Sequence, residues 1–369
     1  MADTPLQRLS ALGQSVWIDY LSRNLVHGGE LERMMKEDAV VGVTSNPTIF
    51  QKALAEGDAY DDQLREVVEQ TDDDKEAFLQ LATRDVTDAC DLLRPVWDEG
   101  SGRDGYVSLE VDPNLAHDTD ATIAEANRLH DWVDRPNLHV KIPATQEGLA
   151  AIEEEISKGH NINVTLIFAL KRHEEVAEAY IRGLERLVES GGDPSRVASV
   201  ASFFVSRVDT EVDNRLDAIG GHDELKGKAA IANAKLAYQT YLKTFAGDRW
   251  DALAAKGATP QRCLWASTST KNPDYRDVMY VEELIGRDTV NTMPQETIEA
   301  FQDHGEVRGE TVKEGVDGAQ ATLDALAEAG IDYDDVTDTL EREGVEKFAD
   351  SFKELLAEVA RKRDTLVTA

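Results

Sequence analysis

The chain has 369 residues, 41% of them apolar, with 39 basic against 72 acidic side chains and a formal net charge of −33. That surplus of acid excludes nucleic acid and anionic membranes as general partners, because both are polyanions. Only 10 prolines occur, and no apolar run approaches the roughly 18 residues that a spanning helix needs, so the chain reads as globular with a large core.

The opening stretch MADTPLQRLSALGQ has no basic segment followed by an apolar one, so no secretory signal is expected. Short β-branched runs then recur, and strands are predicted at 15–20 (SVWIDY), 39–46 (AVVGVTSN), 106–111 (YVSLEV) and 138–143 (LHVKIP). Four more are predicted at 161–168 (NINVTLIF), 196–205 (RVASVASFFV), 262–268 (RCLWAST) and 288–293 (DTVNTM). Segments of 3.6-residue periodicity such as QEGLAAIEEEIS and KRHEEVAEAYIRGLERLVES separate them. Residues 51–98 insert extra helix between the second and third strands, and residues 209–258 do so between the sixth and seventh. The stretch 308–364 reads as helical throughout and is expected to pack on the outside.

Alternating strands and helices argue for a parallel sheet, and eight such units match a closed (β/α)₈ TIM barrel. An open doubly wound sheet would want a glycine-rich phosphate turn after the first strand, and LSRNLVHGGE lacks one. No linker, repeat or low-complexity tract divides the chain, so one domain over 1–369 is expected.

Two cysteines, Cys90 and Cys263, lie far apart with no CxxC, which supports neither a disulfide framework nor a zinc site and fits a reducing cytoplasm. The acidic clusters DAYDD, TDDDKE, IEEEIS and DYDDVTD fall on helix faces and read as solvated surface; adaptation to high salt is the sharper form of that reading. GHDELKGKAA misses the glycine spacing and the Ser/Thr of a phosphate-binding loop, DYDDVTDTLE lacks the glycine of a calcium loop, and RHEEVAE is not HExxH. No metal and no nicotinamide or flavin cofactor is expected.

In a barrel of this kind the chemistry gathers where the strands end. Those ends carry Asp19, then Thr44, Ser45 and Asn46, then Glu110 and Asp112, then Lys141, Asn163 and Thr165, then Ser202 and Arg207, then Ser267 and Lys271. So many polar ends suit a polyhydroxylated molecule. Lys141 is the group hardest to replace: it sits in NLHVKIPAT, otherwise a buried strand, where a charge is costly unless paired or deprotonated. A desolvated lysine amine can add to a carbonyl and form a Schiff base. The alternative, a charge guarding an exposed edge strand, weakens once a barrel closes. Asp19 suits a general acid/base or a helix cap. Asp112 precedes Pro113 and suggests a turn, which favours Glu110 as the functional carboxylate.

The motifs GVTSNPTIF (42–50) and VKIPAT (140–145), with SLEVDPNLA, NINVTLIF, SVASFFVSRVD and WASTSTKNP in order, resemble the transaldolase family over nearly the whole chain. The length is similar to its longer members and unlike the short fructose-6-phosphate aldolases. The resemblance implies a dihydroxyacetone unit carried from sedoheptulose 7-phosphate or fructose 6-phosphate to an aldose phosphate, in the non-oxidative pentose phosphate pathway. It implies Lys141 as the Schiff-base lysine, Asp19 as acid/base, and Glu110 and Thr165 as holders of a catalytic water. It further implies Asn46, Asn163 and Ser202 as partners of the dihydroxyacetone hydroxyls, Phe204 as a packing aromatic and Arg207 as a phosphate ligand. Where many members carry a second arginine, ASTSTKNP offers Ser267 and Lys271 instead. Small sugar phosphates are the expected partners, with a cytoplasmic monomer or homodimer. The two rival readings are an aldolase releasing free dihydroxyacetone and a non-catalytic sugar-phosphate-binding barrel.

Overall fold

The computed structural model describes residues 4–368. Eight strands close into one barrel in sequence order: β1 Gln14–Ile18, β2 Val40–Val43, β3 Val107–Glu110, β4 Leu138–Pro143, β5 Ile162–Ile167, β6 Ser199–Phe204, β7 Arg262–Ala266 and β8 Thr289–Met293. Every neighbouring pair is parallel, including β1 with β8. This is the (β/α)₈ TIM barrel expected from the pattern, in a single domain. The strands are buried on both faces because helices cover the outside and side chains fill the inside, which is why they read as apolar runs.

The register places Glu110 beside Lys141 and Lys141 beside Asn163 across β3, β4 and β5. Alternation along a strand then sends His139, Lys141, Asn163 and Thr165 into the barrel interior. The lower interior is closed by Trp17, Tyr106, His139 and Arg262: Tyr106 and His139 stack with ring centroids 4.0 Å apart, and the Arg262 guanidinium donates to Ser15 Oγ at 2.8 Å and Asp104 Oδ1 at 3.1 Å.

Between β2 and β3 lie three helices, Pro47–Ala55, Asp61–Val68 and Asp74–Glu99, and between β6 and β7 three more, Ser206–Ile219, Ala229–Thr244 and Asp248–Ala254. The segment 308–364 differs from the expectation in two respects. It begins irregularly, with a short 3-10 turn at Thr311–Lys313, and breaks between the helices Val316–Glu328 and Tyr333–Thr368. The first helix packs on Ala229–Thr244, outside the barrel, but the second packs on Pro47–Ala55, Asp74–Glu99 and Ser206–Ile219 and crosses the C-terminal mouth. The reason is its apolar stripe: Val336, Leu340, Phe348, Phe352, Leu355 and Val359 are all buried, at the three- and four-residue steps that put them on one side of a helix.

Candidate active site

A cavity of about 610 Å³ opens at the C-terminal mouth, lined among others by Asp19, Asn46, Lys141, Thr165, Ser202 and Phe204 from strand ends. Arg207, Ser267 and Lys271 complete the part expected from the sequence. Two expected residues stand just outside it. Glu110 lies beside the cavity, against Leu166 and Phe348. Asn163 lies beneath it, fully buried, with its amide Nδ2 donating to Ser108 Oγ at 3.1 Å and its Oδ1 accepting from Ser202 Oγ at 2.6 Å.

Lys141 is 5% exposed. Its Nζ donates to the Ser45 carbonyl at 2.9 Å and lies 3.5 Å from Glu110 Oε2. Burial pushes the Glu110 carboxyl pKa up, with the Lys141 charge pulling the other way. Glu110 Oε2 and the buried hydroxyl of Thr165 each lack a hydrogen-bond partner of good geometry. Each of these oxygens therefore has capacity for a further hydrogen bond, since a buried polar group left alone costs about 1–3 kcal/mol.

Asp19, one residue past β1, accepts from Thr44 Oγ1 at 2.7 Å, and the Thr44 hydroxyl meets the Thr292 hydroxyl at 2.6 Å. Burial raises the Asp19 pKa, against the opposing pull of Lys141, the Thr44 hydroxyl and Arg207. Asn46 uses its Oδ1 to cap the helix Pro47–Ala55, accepting from Ile49 N at 3.0 Å, which leaves its amide nitrogen for the cavity.

Arg207 stands in the first turn of Ser206–Ile219 with its guanidinium over two rings, 4.9 Å from the Phe204 centroid and 5.8 Å from that of Phe348. Burial lowers its pKa, opposed by Asp19 and Glu110. Ser267 adopts a left-handed φ of 56°, and its hydroxyl lies 2.9 Å from that of Ser206. Lys271 Nζ donates to Ser269 Oγ at 2.7 Å; burial lowers its pKa, Glu296 opposes, and Arg207 and Lys347 add repulsion.

The sequence reading missed Lys52 and Lys347, which line the same cavity from the helices Pro47–Ala55 and Tyr333–Thr368. Neither makes an ion pair among the described residues. Five basic side chains, Lys52, Lys141, Arg207, Lys271 and Lys347, line this opening beside the carboxylates of Asp19, Glu211, Glu296 and Glu343, a local balance unlike that of the acidic chain as a whole. Phe348 and Glu343 also come from the last helix. Its apolar stripe was visible in sequence, but not the place where it would dock.

The family model described as "Transaldolase/Fructose-6-phosphate aldolase" matches residues 16–359. A protein named transaldolase from Acidothermus cellulolyticus is 59% identical over 358 residues, covering 97% of this chain and 96% of the relative. One from Frankia alni is 55% identical, covering 97% of each chain, and one from Thermobifida fusca is 52% identical, covering 97% of this chain and 98% of the relative.

Proposed function

Since this chain belongs to the transaldolase/fructose-6-phosphate aldolase family and is an enzyme of the transaldolase kind, we propose that its chemistry runs through a Schiff base at Lys141. The Lys141 amine adds to the C2 ketone of fructose 6-phosphate or sedoheptulose 7-phosphate, and loss of water leaves an iminium. Asp19 takes the proton of the C4 hydroxyl as the C3–C4 bond breaks, and the electron pair passes to the iminium to give an enamine. The aldose phosphate departs, and the bound three-carbon unit adds to the aldehyde of glyceraldehyde 3-phosphate or erythrose 4-phosphate, with Asp19 returning the proton. Hydrolysis of the new iminium frees the amine.

The single observation that carries this reading is the grouping at the mouth: a buried lysine 3.5 Å from Glu110, in a cavity that also holds Asp19 and Thr165. Burial raises the pKa of both Asp19 and Glu110, the kind of perturbation by which a buried site tunes its acids and bases. Glu110 and Thr165 have the free oxygens to hold the water that enters and leaves. Ser202 and Asn46 present polar atoms to the dihydroxyacetone hydroxyls, and Asn163 fixes Ser202 from below. Phe204 and Phe348 hold Arg207 between them. Arg207, Ser267 and Lys271 take the phosphate, with Lys271 serving as a point charge and Arg207 as a planar fork.

We place the enzyme in the cytoplasm, where its two free, buried cysteines stay reduced, as a monomer or homodimer acting on small sugar phosphates. Among the described residues no helix is long and apolar enough to cross a membrane.

Borohydride reduction in the presence of fructose 6-phosphate tests the mechanism. The expected product is a single adduct mapped by peptide mass spectrometry to Lys141; no adduct, or one on another lysine, overturns it. Release of glyceraldehyde 3-phosphate without an added acceptor, at the rate of the complete reaction, would make the enzyme an aldolase instead.

A further inference from the structure

The phosphate end of the mouth is assembled from two elements far apart in sequence. Arg207 stands in the first turn of the helix Ser206–Ile219, whereas Ser267 and Lys271 lie in residues 267–278, which form neither helix nor strand. Much of that segment is exposed, Lys271 included. Irregular surface segments are mobile unless contacts tie them down, so some contact must fix Lys271 relative to Arg207 if the two are to act on one phosphate.

One end of the segment is tied where it leaves β7. Ser206 N donates to the Ser267 carbonyl at 3.0 Å, and the two serine hydroxyls lie 2.9 Å apart. The other end is tied by two carboxylates of the same helix. Asp213 Oδ2 accepts from the Tyr275 hydroxyl at 2.5 Å, and Asp209 Oδ2 accepts from the Tyr280 hydroxyl at 2.8 Å. Each carboxylate turns its second oxygen to the chain that follows the helix: Asp213 Oδ1 accepts from Gly227 N at 3.0 Å, and Asp209 Oδ1 from Ala230 N at 2.8 Å. Four residues apart, the two acids share one face of the helix, while Arg207, two residues before Asp209, leaves by another.

The seat of Tyr275 depends on a missing side chain. A Cβ on Gly227 would come within 2.7 Å of Tyr275 Cζ, so any other residue there would push the ring away. Tyr275 also closes a turn: its N donates to the Asn272 carbonyl at 3.2 Å, and Asp274 N donates to Asn272 Oδ1 at 3.0 Å. Lys271 immediately precedes that turn. Asp209 and Tyr280 are both buried, and burial raises the Asp209 carboxyl to about 6. A carboxylate is costly to bury, and an apolar side chain could fill the space without that cost. The carboxylate adds direction, because a fully satisfied polar network holds its members in one arrangement.

We propose that Asp209, Asp213, Tyr275 and Tyr280 are positioning residues for the phosphate. They hold the segment 267–278 at the spacing from Arg207 that lets Ser267 and Lys271 meet the same group. None of the four lines the cavity, so they act through the helix and the segment and not by touching substrate. The proposal rests on the reading of Arg207, Ser267 and Lys271 as phosphate ligands, and one experiment separates the two.

That experiment is steady-state release of erythrose 4-phosphate from saturating sedoheptulose 7-phosphate, with glyceraldehyde 3-phosphate or glyceraldehyde as acceptor. The two acceptors differ by the phosphate. Tyr275→Phe combined with Tyr280→Phe removes two hydroxyls and keeps both rings. This double variant is expected to raise KM for glyceraldehyde 3-phosphate about tenfold, inside the roughly hundredfold that a 1 Å misplacement can cost. KM for glyceraldehyde and kcat with either acceptor stay close to wild type. Tyr275→Phe alone, at a half-buried position, gives a smaller rise in the same sense and carries the test if the double variant does not fold. Arg207→Gln, measured alongside, is expected to raise KM for the phosphorylated acceptor selectively as well. If Arg207→Gln separates the acceptors and the tyrosine variants do not, the positioning role is overturned and the phosphate reading stands. A fall in kcat common to both acceptors, with no selective rise in KM, likewise overturns it and makes the tyrosines structural. If Arg207→Gln shifts both acceptors alike or neither, the phosphate reading falls and takes the positioning role with it.

Discussion

Asp19 shows at the scale of one residue how function is set against stability. Its carboxyl is held above the ordinary aspartate pKa, chiefly by burial. The unfolded chain releases this proton near about pH 4, whereas the folded state keeps it to higher pH. Between those values the folded state binds more protons, so stability falls as pH rises through the window, and the loss persists above it. Asp19→Asn keeps an oxygen for the Thr44 hydroxyl and removes the ionisation. The variant is therefore expected to melt higher than the wild type at about pH 8, with little difference at about pH 4. Its turnover should drop by roughly 10²–10⁴, the usual cost of a lost general acid/base. Melting curves at the two pH values and steady-state rates check both halves; undiminished turnover would assign the proton transfer to another group. Asp19, Lys141 and Thr165 were legible in the sequence because each lies in the C-terminal part of a strand of period two or just past it, so position and direction followed together. Lys52 and Lys347 were not, because a lysine on a polar helix face looks the same whether the helix borders solvent or an active site.

At the scale of the element, the barrel's lower interior depends on a missing side chain. A Cβ on Gly42 of β2 would come within 2.5–2.6 Å of the Trp17 indole. That indole cannot easily withdraw: it is fully buried and its Nε1 donates to Asp104 Oδ1 at 3.0 Å. Asp104 in turn holds Arg262 and Ser15, so movement of Trp17 disturbs a network. Gly42→Ala is expected to cost about 1–3 kcal/mol, the range for overpacking a filled core. A fall in the urea midpoint at unchanged slope would show it, and a neutral result would mean that the Trp17 layer yields more readily than its contacts imply. All eight strands were legible as β-branched runs between helical repeats, and their observed ends fall within a few residues of expectation. β6 begins later than its apolar pattern because Pro194–Arg196 forms a 3-10 turn capped by Asp193. The stretch 308–364 was legible as helical, but neither its break before Tyr333 nor the cover that the last helix makes over the mouth was. An amphipathic stripe says that a helix must dock and leaves open where, which depends on the surface that the rest of the fold presents.

For the whole molecule the governing quantity is the net charge of −33, and it acts on stability and on substrate binding in opposite senses. Many surface ion pairs are in place, such as Arg249 with Glu178 and Glu185, or Arg186 with Glu153 and Glu154. Exposed pairs contribute only about 0–1 kcal/mol each, so salt removes little by weakening them. The surplus acids have no such partners, and their mutual repulsion is relieved as the screening length falls from about 30 Å at 0.01 M salt to about 3 Å at 1 M. Melting temperature should therefore climb by several degrees across that range of sodium chloride, a salt chosen because sulfate would also strengthen apolar burial. At the mouth the sign reverses. On the proposed binding mode, Lys52, Arg207, Lys271 and Lys347 attract the phosphate through a field that the same salt screens, so KM for fructose 6-phosphate should rise severalfold while kcat changes less. A flat or falling melting temperature would mean that the ion-pair networks outweigh the repulsion. A KM indifferent to salt would mean that the phosphate is held by short contacts to Arg207 and Ser267, with the outer lysines contributing no attraction.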